Sequence, residues 1–113
     1  MIENTRSEIN ALANDLHENA VNKGWWQSEV EFPVIIALCH SELSEALEEH
    51  RDGKDGYYLT KEGKPAGKYV EFADCIIRIL DYCAYKGVDI DHIIRQKHEY
   101  NQARPWRHGG KMC

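Results

Sequence analysis

The chain has 113 residues, of which 42% are hydrophobic and 29% charged, with a formal net charge of −5 at pH 7. This length suits one domain with one core, and the composition is that of a globular protein. The negative charge disfavours sequence-independent nucleic-acid binding, which needs basic surface. No apolar run approaches the roughly 20 residues of a membrane span, and the polar N-terminus lacks the features of a signal peptide. We therefore expect a cytoplasmic protein without nucleic-acid or membrane partners.

The cysteines are expected to be reduced and mostly buried, since they form no CxxC pair and three of them fall in helical patterns. A zinc site that uses Cys39 with His40 or a distant histidine is disfavoured, because the spacing matches no zinc framework. The four are Cys39, Cys75, Cys83 and Cys113.

Hydrophobic spacing first predicts two amphipathic helices in the N-terminal half. The first starts near Thr5 or Ser7 and ends before Gly24, after which the chain contains two consecutive tryptophans. The second opens around Pro33, which suits a first helical turn, and stops at the Asp-Gly pair 52–53.

Residues 52–67 contain four glycines and one proline, a composition typical of a loop or short hairpin. The third helix follows, with the sequence KYVEFADCIIRILDYCAYK, and ends at Gly87. The fourth begins with Asp89 or Asp91 as its cap and ends before Pro105. No strand pattern occurs outside the loop, so we predict one all-α domain over residues 1–113, an antiparallel bundle of about four helices.

Two glutamates interrupt the apolar face of the second helix. On a helical wheel Glu42 falls inside that face and Glu45 lies at its edge. Residues three apart on a helix have Cβ atoms about 5–6 Å apart, close enough for both carboxylates to bind one cation. The rest of the face consists of Ile35, Ile36, Leu38, Cys39, Leu43, Ala46 and Leu47.

The third helix carries a second acidic pair on a narrow polar stripe, where Glu71 and Asp74 are joined by Arg78 and Asp81. If the two helices are neighbours, both pairs face one cavity. Four carboxylates repel one another strongly, and a hard divalent cation relieves that repulsion. Oxygen ligands favour Mg²⁺, with Mn²⁺ as a possible substitute. A lone ExxE is more often a solvated acidic face, but the two motifs together indicate a metal site.

An ExxE motif separated by 25 intervening residues from an ExxD motif resembles the signature of the MazG-like all-α nucleoside triphosphate pyrophosphohydrolases. The motifs read ELSE and EFAD, and the resemblance extends through EFADCIIRILDYC to KHEYNQARPWRHGGK. It implies that Glu42, Glu45, Glu71 and Asp74 bind Mg²⁺. The implied activity is hydrolysis of a ribo- or deoxynucleoside triphosphate to the monophosphate and pyrophosphate, as part of nucleotide-pool housekeeping.

The resemblance also implies substrate contacts from the last helix, where Lys97 and Asn101 are four residues apart and share one face. Without the resemblance, Lys97 is better interpreted as a solvent-facing charge. The C-terminal segment places cations beside glycines, as a phosphate clamp needs, and fits a frayed terminus equally well. Its candidate substrate-binding residues are Arg104, Arg107 and Lys111.

Trp26 is a further candidate for substrate binding, by stacking on the base, although two adjacent tryptophans such as Trp25 and Trp26 more often belong to a core or subunit interface.

Glu42 and Glu45 are the catalytic candidates. The identity of the general base stays open, because Ser41 stands where some relatives have an extra glutamate. The broad apolar arc of the third helix predicts a homodimer or homotetramer.

Two other classes of function compete with this interpretation. A non-enzymatic helical interaction or regulatory module with an acidic surface would show no metal-dependent turnover. A di-iron carboxylate bundle would need ExxH pairs, which the sequence lacks.

Overall fold

The computed structural model describes residues 1–106, which form four helices and one short hairpin. The helices are α1 (Glu8–Asn22), α2 (Phe32–Arg51), α3 (Lys68–Lys86) and α4 (Ile90–Ala103). Between α2 and α3, the strands β1 (Tyr58–Leu59) and β2 (Pro65–Ala66) pair in antiparallel register, in agreement with the predicted hairpin composition.

Helices α1, α3 and α2 lie side by side in one layer, with α3 in the middle. One core cluster joins α1 to the C-terminal half of α3 through Ala13, Leu80 and Ala84, and Ile2 from the N-terminal segment closes it. A second cluster joins α2 to α3 through Ile35, Cys39 and Cys75. The three described cysteines are free and buried.

The ends of the helices follow local sequence signals. Ser7 caps α1 by accepting hydrogen bonds from two backbone N–H groups, and Asp89 caps α4 by accepting one from His92. Gly87 ends α3 in the left-handed conformation with φ 70°, which only glycine adopts at little cost. Pro33 lies in the first turn of α2, as predicted.

The hairpin is fixed to both neighbouring helices. Tyr58 donates its hydroxyl hydrogen to Glu49 of α2 at 2.8 Å, and Lys54 pairs with the same carboxylate at 3.2 Å. Gly67, the residue before α3, has φ 114°, and a Cβ there would overlap the backbone carbonyl of Gly56. Both the conformation and the close approach therefore require glycine. The result is a firm base for the hairpin at the start of α3.

Helix α4 leaves the layer and is attached to it only near its first turn. Asp91 is buried, and its N–H donates to the side chain of Asn10. Residues 92–103 are all exposed.

The all-α prediction is confirmed for the described residues, and the helices agree with the predicted segments to within a few residues. Helix α4 projects from the layer formed by α1, α3 and α2, so the antiparallel bundle of about four helices stays a prediction. Within residues 1–106, no helix has the length and hydropathy required to cross a membrane.

Candidate metal centre

Three of the predicted ligands meet where α2 faces the start of α3. Carboxylate oxygens of Glu42, Glu45 and Glu71 lie within 4.8 Å of one another. Two come from successive turns of α2 and the third from the first turn of α3, so antiparallel packing of the helices brings the two motifs together. Glu42 is buried, Glu71 half-buried and Glu45 exposed, so the group opens to solvent on the Glu45 side. We refer to these three residues as the glutamate trio.

Arg78 holds Glu42 in place. Its Nε and one terminal nitrogen each lie 3.0 Å from Oε1 of Glu42, which is only 8% exposed. Burial opposes ionisation of Glu42, but the hydrogen bonds with Glu71 and Arg78 outweigh it and lower the pKa of this carboxyl. Glu42 therefore stays ionised and oriented.

Glu71 is in the opposite electrostatic situation. Its Oε2 atom is buried and, when this carboxyl is ionised, has no hydrogen-bond partner among residues 1–106, since the neighbouring carboxylates cannot donate to it. Burial raises the pKa of Glu71 to about 8, together with the hydrogen bonds that the protonated carboxyl makes with Glu42 and Glu45 and the negative charges of these two residues. Ionising this residue needs a new positive partner, and a divalent cation is one that also accepts oxygen ligands from its neighbours.

The fourth predicted ligand, Asp74, lies beside the glutamate trio but not within its 4.8 Å group. Burial raises the pKa of Asp74, the charges of Glu42 and Glu45 raise it further, and those of Arg78 and Lys64 counteract them. Asp74 is therefore close enough to interact electrostatically with the glutamate trio, without belonging to it. Lys64 comes from the hairpin, just before β2.

An open cavity of about 510 Å³ adjoins the centre and shares Glu42 and Asp74 with it. Its other walls are largely apolar and aromatic, a composition suited to a small organic ligand. The lining comes from α1, the connection to α2, and one face each of α2 and α3. The remaining lining residues are Leu16, Asn19, Ala20, Lys23, Trp25, Trp26, Val30, Val34, Ile35, Leu38, Ile77, Arg78 and Asp81.

Trp26 is built firmly into one wall of this cavity. Its indole N–H donates to both carboxylate oxygens of Asp81, at 3.0 and 3.1 Å, and its ring stacks on Tyr85 with centroids 4.1 Å apart. Nδ1 of His17 lies 2.7 Å from the same carboxylate. Trp26 thus has the packing of a core residue while it lines the cavity. Trp25 is largely exposed, with its ring 5.7 Å from the guanidinium of Arg78.

The predicted contacts from the last helix are not brought to this centre within one chain. Lys97 and Asn101 are exposed on α4, and the Lys97 ammonium lies 4.9 Å from the ring centroid of Tyr100. Arg104 also lies near Tyr100, at 5.9 Å. Arg107 and Lys111 lie outside the described residues.

Sequence reasoning did not assign roles to Arg78 and Lys64. Arg78 is four residues after Asp74, so its place on the polar stripe of α3 was visible, but not which acid it would pair with. Lys64 had no signal of its own, since it is one of several lysines in a glycine-rich loop.

The donor set fits a hard divalent cation. All candidate ligand atoms are carboxylate oxygens, and one is a buried oxygen without a partner. In comparisons with known proteins, no family model, curated protein or solved structure matches the chain.

Proposed function

We propose that the protein is a Mg²⁺-dependent pyrophosphohydrolase that converts a ribo- or deoxynucleoside triphosphate to the monophosphate and pyrophosphate, in the service of nucleotide-pool housekeeping. The observation that carries the proposal is the glutamate trio, in which a buried oxygen of Glu71 has no partner once the carboxyl is ionised, beside a cavity of about 510 Å³. A metal explains the oxygen, and the cavity accommodates the rest of a nucleotide.

In this proposal the glutamate trio and Asp74 bind the cation, which supplies charge neutralisation for the phosphates and activation of water. Glu42 is the fixed ligand, because Arg78 occupies one of its oxygens. Glu45 is exposed and forms no ion pair among residues 1–106, so it is the better candidate to orient the attacking water toward the α-phosphorus.

The cavity supports a place for the base. A triphosphate that reaches the carboxylates would leave its base near Trp25 and Leu38, where the cavity offers aromatic and apolar surface. Lys97, Asn101 and the C-terminal cations belong to the proposal as contacts made in an assembled homodimer or homotetramer, since α4 projects from its own layer.

The direct test incubates the protein with a panel of ribo- and deoxynucleoside triphosphates in Mg²⁺, Mn²⁺ or EDTA, and identifies the products by chromatography and pyrophosphate release. We expect monophosphate and pyrophosphate in either metal and no reaction in EDTA. Glu42→Gln and Asp74→Asn should abolish turnover with the helical circular dichroism unchanged.

Glu48→Gln is the matched control, since Glu48 lies on the same helix, is exposed and pairs only with Arg51 among the described residues. Its activity should equal that of the unmodified protein. A folded Glu42→Gln variant with full activity would contradict the role of the trio. Absence of turnover on every nucleotide with both metals would favour the non-enzymatic interaction module.

A further inference from the structure

Arg78 connects the cavity to the metal centre. Among residues 1–106 the cavity lining contains two cations, Lys23 and Arg78, and of these only Arg78 contacts the glutamate trio. The charge of Arg78 acts on Glu42 and Asp74, the two predicted ligands that also line the cavity. A ligand that extends from the cavity to a cation on the trio therefore passes close to this guanidinium.

The hydrogen-bonding capacity of Arg78 is only partly used within the chain. A guanidinium carries N–H donors on all of its nitrogens, arranged as a planar fork. Nε and one terminal nitrogen of Arg78 both lie 3.0 Å from the same atom, Oε1 of Glu42, and the other terminal nitrogen bonds to no group within residues 1–106. The side chain is 25% exposed and lines the cavity, so a ligand there can contact it.

Two contacts hold the guanidinium in place before any ligand binds. Glu42 takes one edge, and the ring of Trp25 lies 5.7 Å from the central carbon of the guanidinium, within the range of a cation–π contact. A preorganised arginine loses little side-chain freedom on binding, and its fork can give a phosphate two parallel hydrogen bonds. The neighbouring carboxylates repel a phosphate until a metal cation offsets their charge.

We propose that Arg78 binds the phosphate group attached directly to the nucleoside, while the cation on the glutamate trio binds the phosphates beyond it. With the nucleoside in the cavity and the cation on the trio, the first phosphate falls at the boundary between the two, where Arg78 lies. The inference rests on the nucleotide-binding part of the proposed function. Pyrophosphate has no nucleoside and binds the cation without needing Arg78.

Calorimetry on the full chain saturated with Mn²⁺ tests this contact. The common ribo- and deoxynucleoside monophosphates are titrated in turn, and the one that binds most tightly is compared with its nucleoside and with pyrophosphate. Arg78→Lys keeps a charge beside Glu42 but lacks the fork, so monophosphate affinity should fall about 10-fold or more. The affinities for the nucleoside and for pyrophosphate should change less than about twofold, because neither ligand places a phosphate ester at Arg78.

Two further variants complete the series. Arg78→Gln is neutral but can still donate to Glu42, and it should lose at least as much monophosphate affinity as Arg78→Lys. Arg51→Lys is the matched control, since Arg51 is an exposed arginine that pairs with Glu48 and lies outside the cavity lining. It should change none of the affinities. Circular dichroism should show the same helical content in all of these proteins.

The pattern of losses distinguishes a phosphate contact from mere support of Glu42. A residue that only orients Glu42 would, when changed, weaken Mn²⁺, pyrophosphate and monophosphate binding together, or weaken none of them, and either pattern would overturn the inference. Triphosphate turnover without detectable monophosphate binding would also overturn it and leave the enzyme proposal standing. Monophosphate binding that depends on Arg78, without turnover of any triphosphate, would contradict the enzyme proposal and support the phosphate contact.

Discussion

Two buried polar groups in this small protein have opposite surroundings. Asn10, in α1, is fully buried, and its side chain donates to the carbonyl oxygen of Asn4 and the carboxylate of Asp89 and accepts from the N–H of Asp91. Glu71, in α3, has a buried oxygen with no partner among residues 1–106. The side chain of Asn10 joins three segments of the fold, whereas that of Glu71 has an oxygen that joins none.

The comparison separates a structural use of buried polarity from a functional one. A buried group with satisfied hydrogen bonds contributes to stability and to the choice of one fold, while an unsatisfied one costs free energy until something binds. We therefore expect changes at Asn10 to affect stability and leave the site intact. Changes at Glu71 should affect the site and leave stability intact.

The largest effect should come from Glu71→Gln. The amide resembles the protonated acid in shape and donates to the neighbouring carboxylates, so the metal-free fold should be retained or slightly stabilised. It is a poor ligand for a hard cation, so Mn²⁺ affinity and turnover should each fall on the order of 100-fold or more. Titration calorimetry with Mn²⁺ and pyrophosphate release measure the two losses. Glu62→Gln, an exposed hairpin change, should alter neither. Unchanged Mn²⁺ affinity in Glu71→Gln would refute the assignment of the metal centre.

Asn10→Ala should cost about 2–3 kcal/mol of unfolding free energy, because it leaves a cavity and removes one hydrogen-bond partner from the Asp89 carboxylate and one from the buried N–H of Asp91. Urea unfolding followed by circular dichroism measures this loss. Mn²⁺ affinity of the folded variant should match that of the unmodified protein. Asn19→Ala, an exposed change on the same helix, should cost little. A stability equal to that of the Asn19 variant would show that the Asn10 hydrogen bonds are not the anchor of α4.

The two regions should also respond to pH with opposite signs in the metal-free protein. The pKa of Glu71 is raised to about 8 from 4.5, so the folded state binds the extra proton and loses stability as pH rises between these values. Hydrogen bonds from Asn10, His92 and Asn4 lower the pKa of Asp89 from 3.8, so its contribution is present above that value and is lost as pH falls through the lowered pKa.

Unfolding free energies measured in EDTA from pH 3 to 8.5, at one protein concentration, distinguish the two regions. Glu71→Gln should remove part of the decline between about 4.5 and 8, and Asp89→Asn should alter the acid side only. A decline above pH 4.5 that is identical in Glu71→Gln and the unmodified protein would contradict the unpartnered state of this carboxyl.

Many of the features compared here could be predicted from the sequence, and those that could not be predicted have physical reasons. Apolar spacing and caps such as Ser7 predict the helices because those signals are local. Glu42 was visible as a charge in an apolar face. In contrast, the hydrogen bonds of Asn10 join residues about 80 positions apart, and periodicity contains no information on such contacts. The 4.8 Å grouping that omits Asp74 also depends on how α2 and α3 are offset along their axes, which the motif spacing leaves open.

The smallest expected effect concerns Lys64, whose positive charge either helps to bind the phosphates of the substrate or only neutralises nearby carboxylates. Lys64, on the hairpin, contributes positive charge at Asp74 and forms no ion pair within residues 1–106. A cation beside a metal centre repels the metal and attracts its phosphate ligands. The Lys64→Ala variant should therefore bind Mn²⁺ about two- to fivefold more tightly than the unmodified protein. With Mn²⁺ bound, its affinity for pyrophosphate should fall by a similar factor. Both changes are those expected for an exposed charge worth about 0.5–1 kcal/mol. Calorimetry measures both affinities.

Lys61→Ala is the matched control from the same hairpin and should change neither affinity, while Lys64→Arg should restore pyrophosphate binding. If Lys64→Ala changes both affinities in the same direction, Lys64 acts by supporting the fold of the hairpin. The opposing signs are informative because general damage to the centre weakens metal and phosphate binding together, whereas loss of one positive charge cannot.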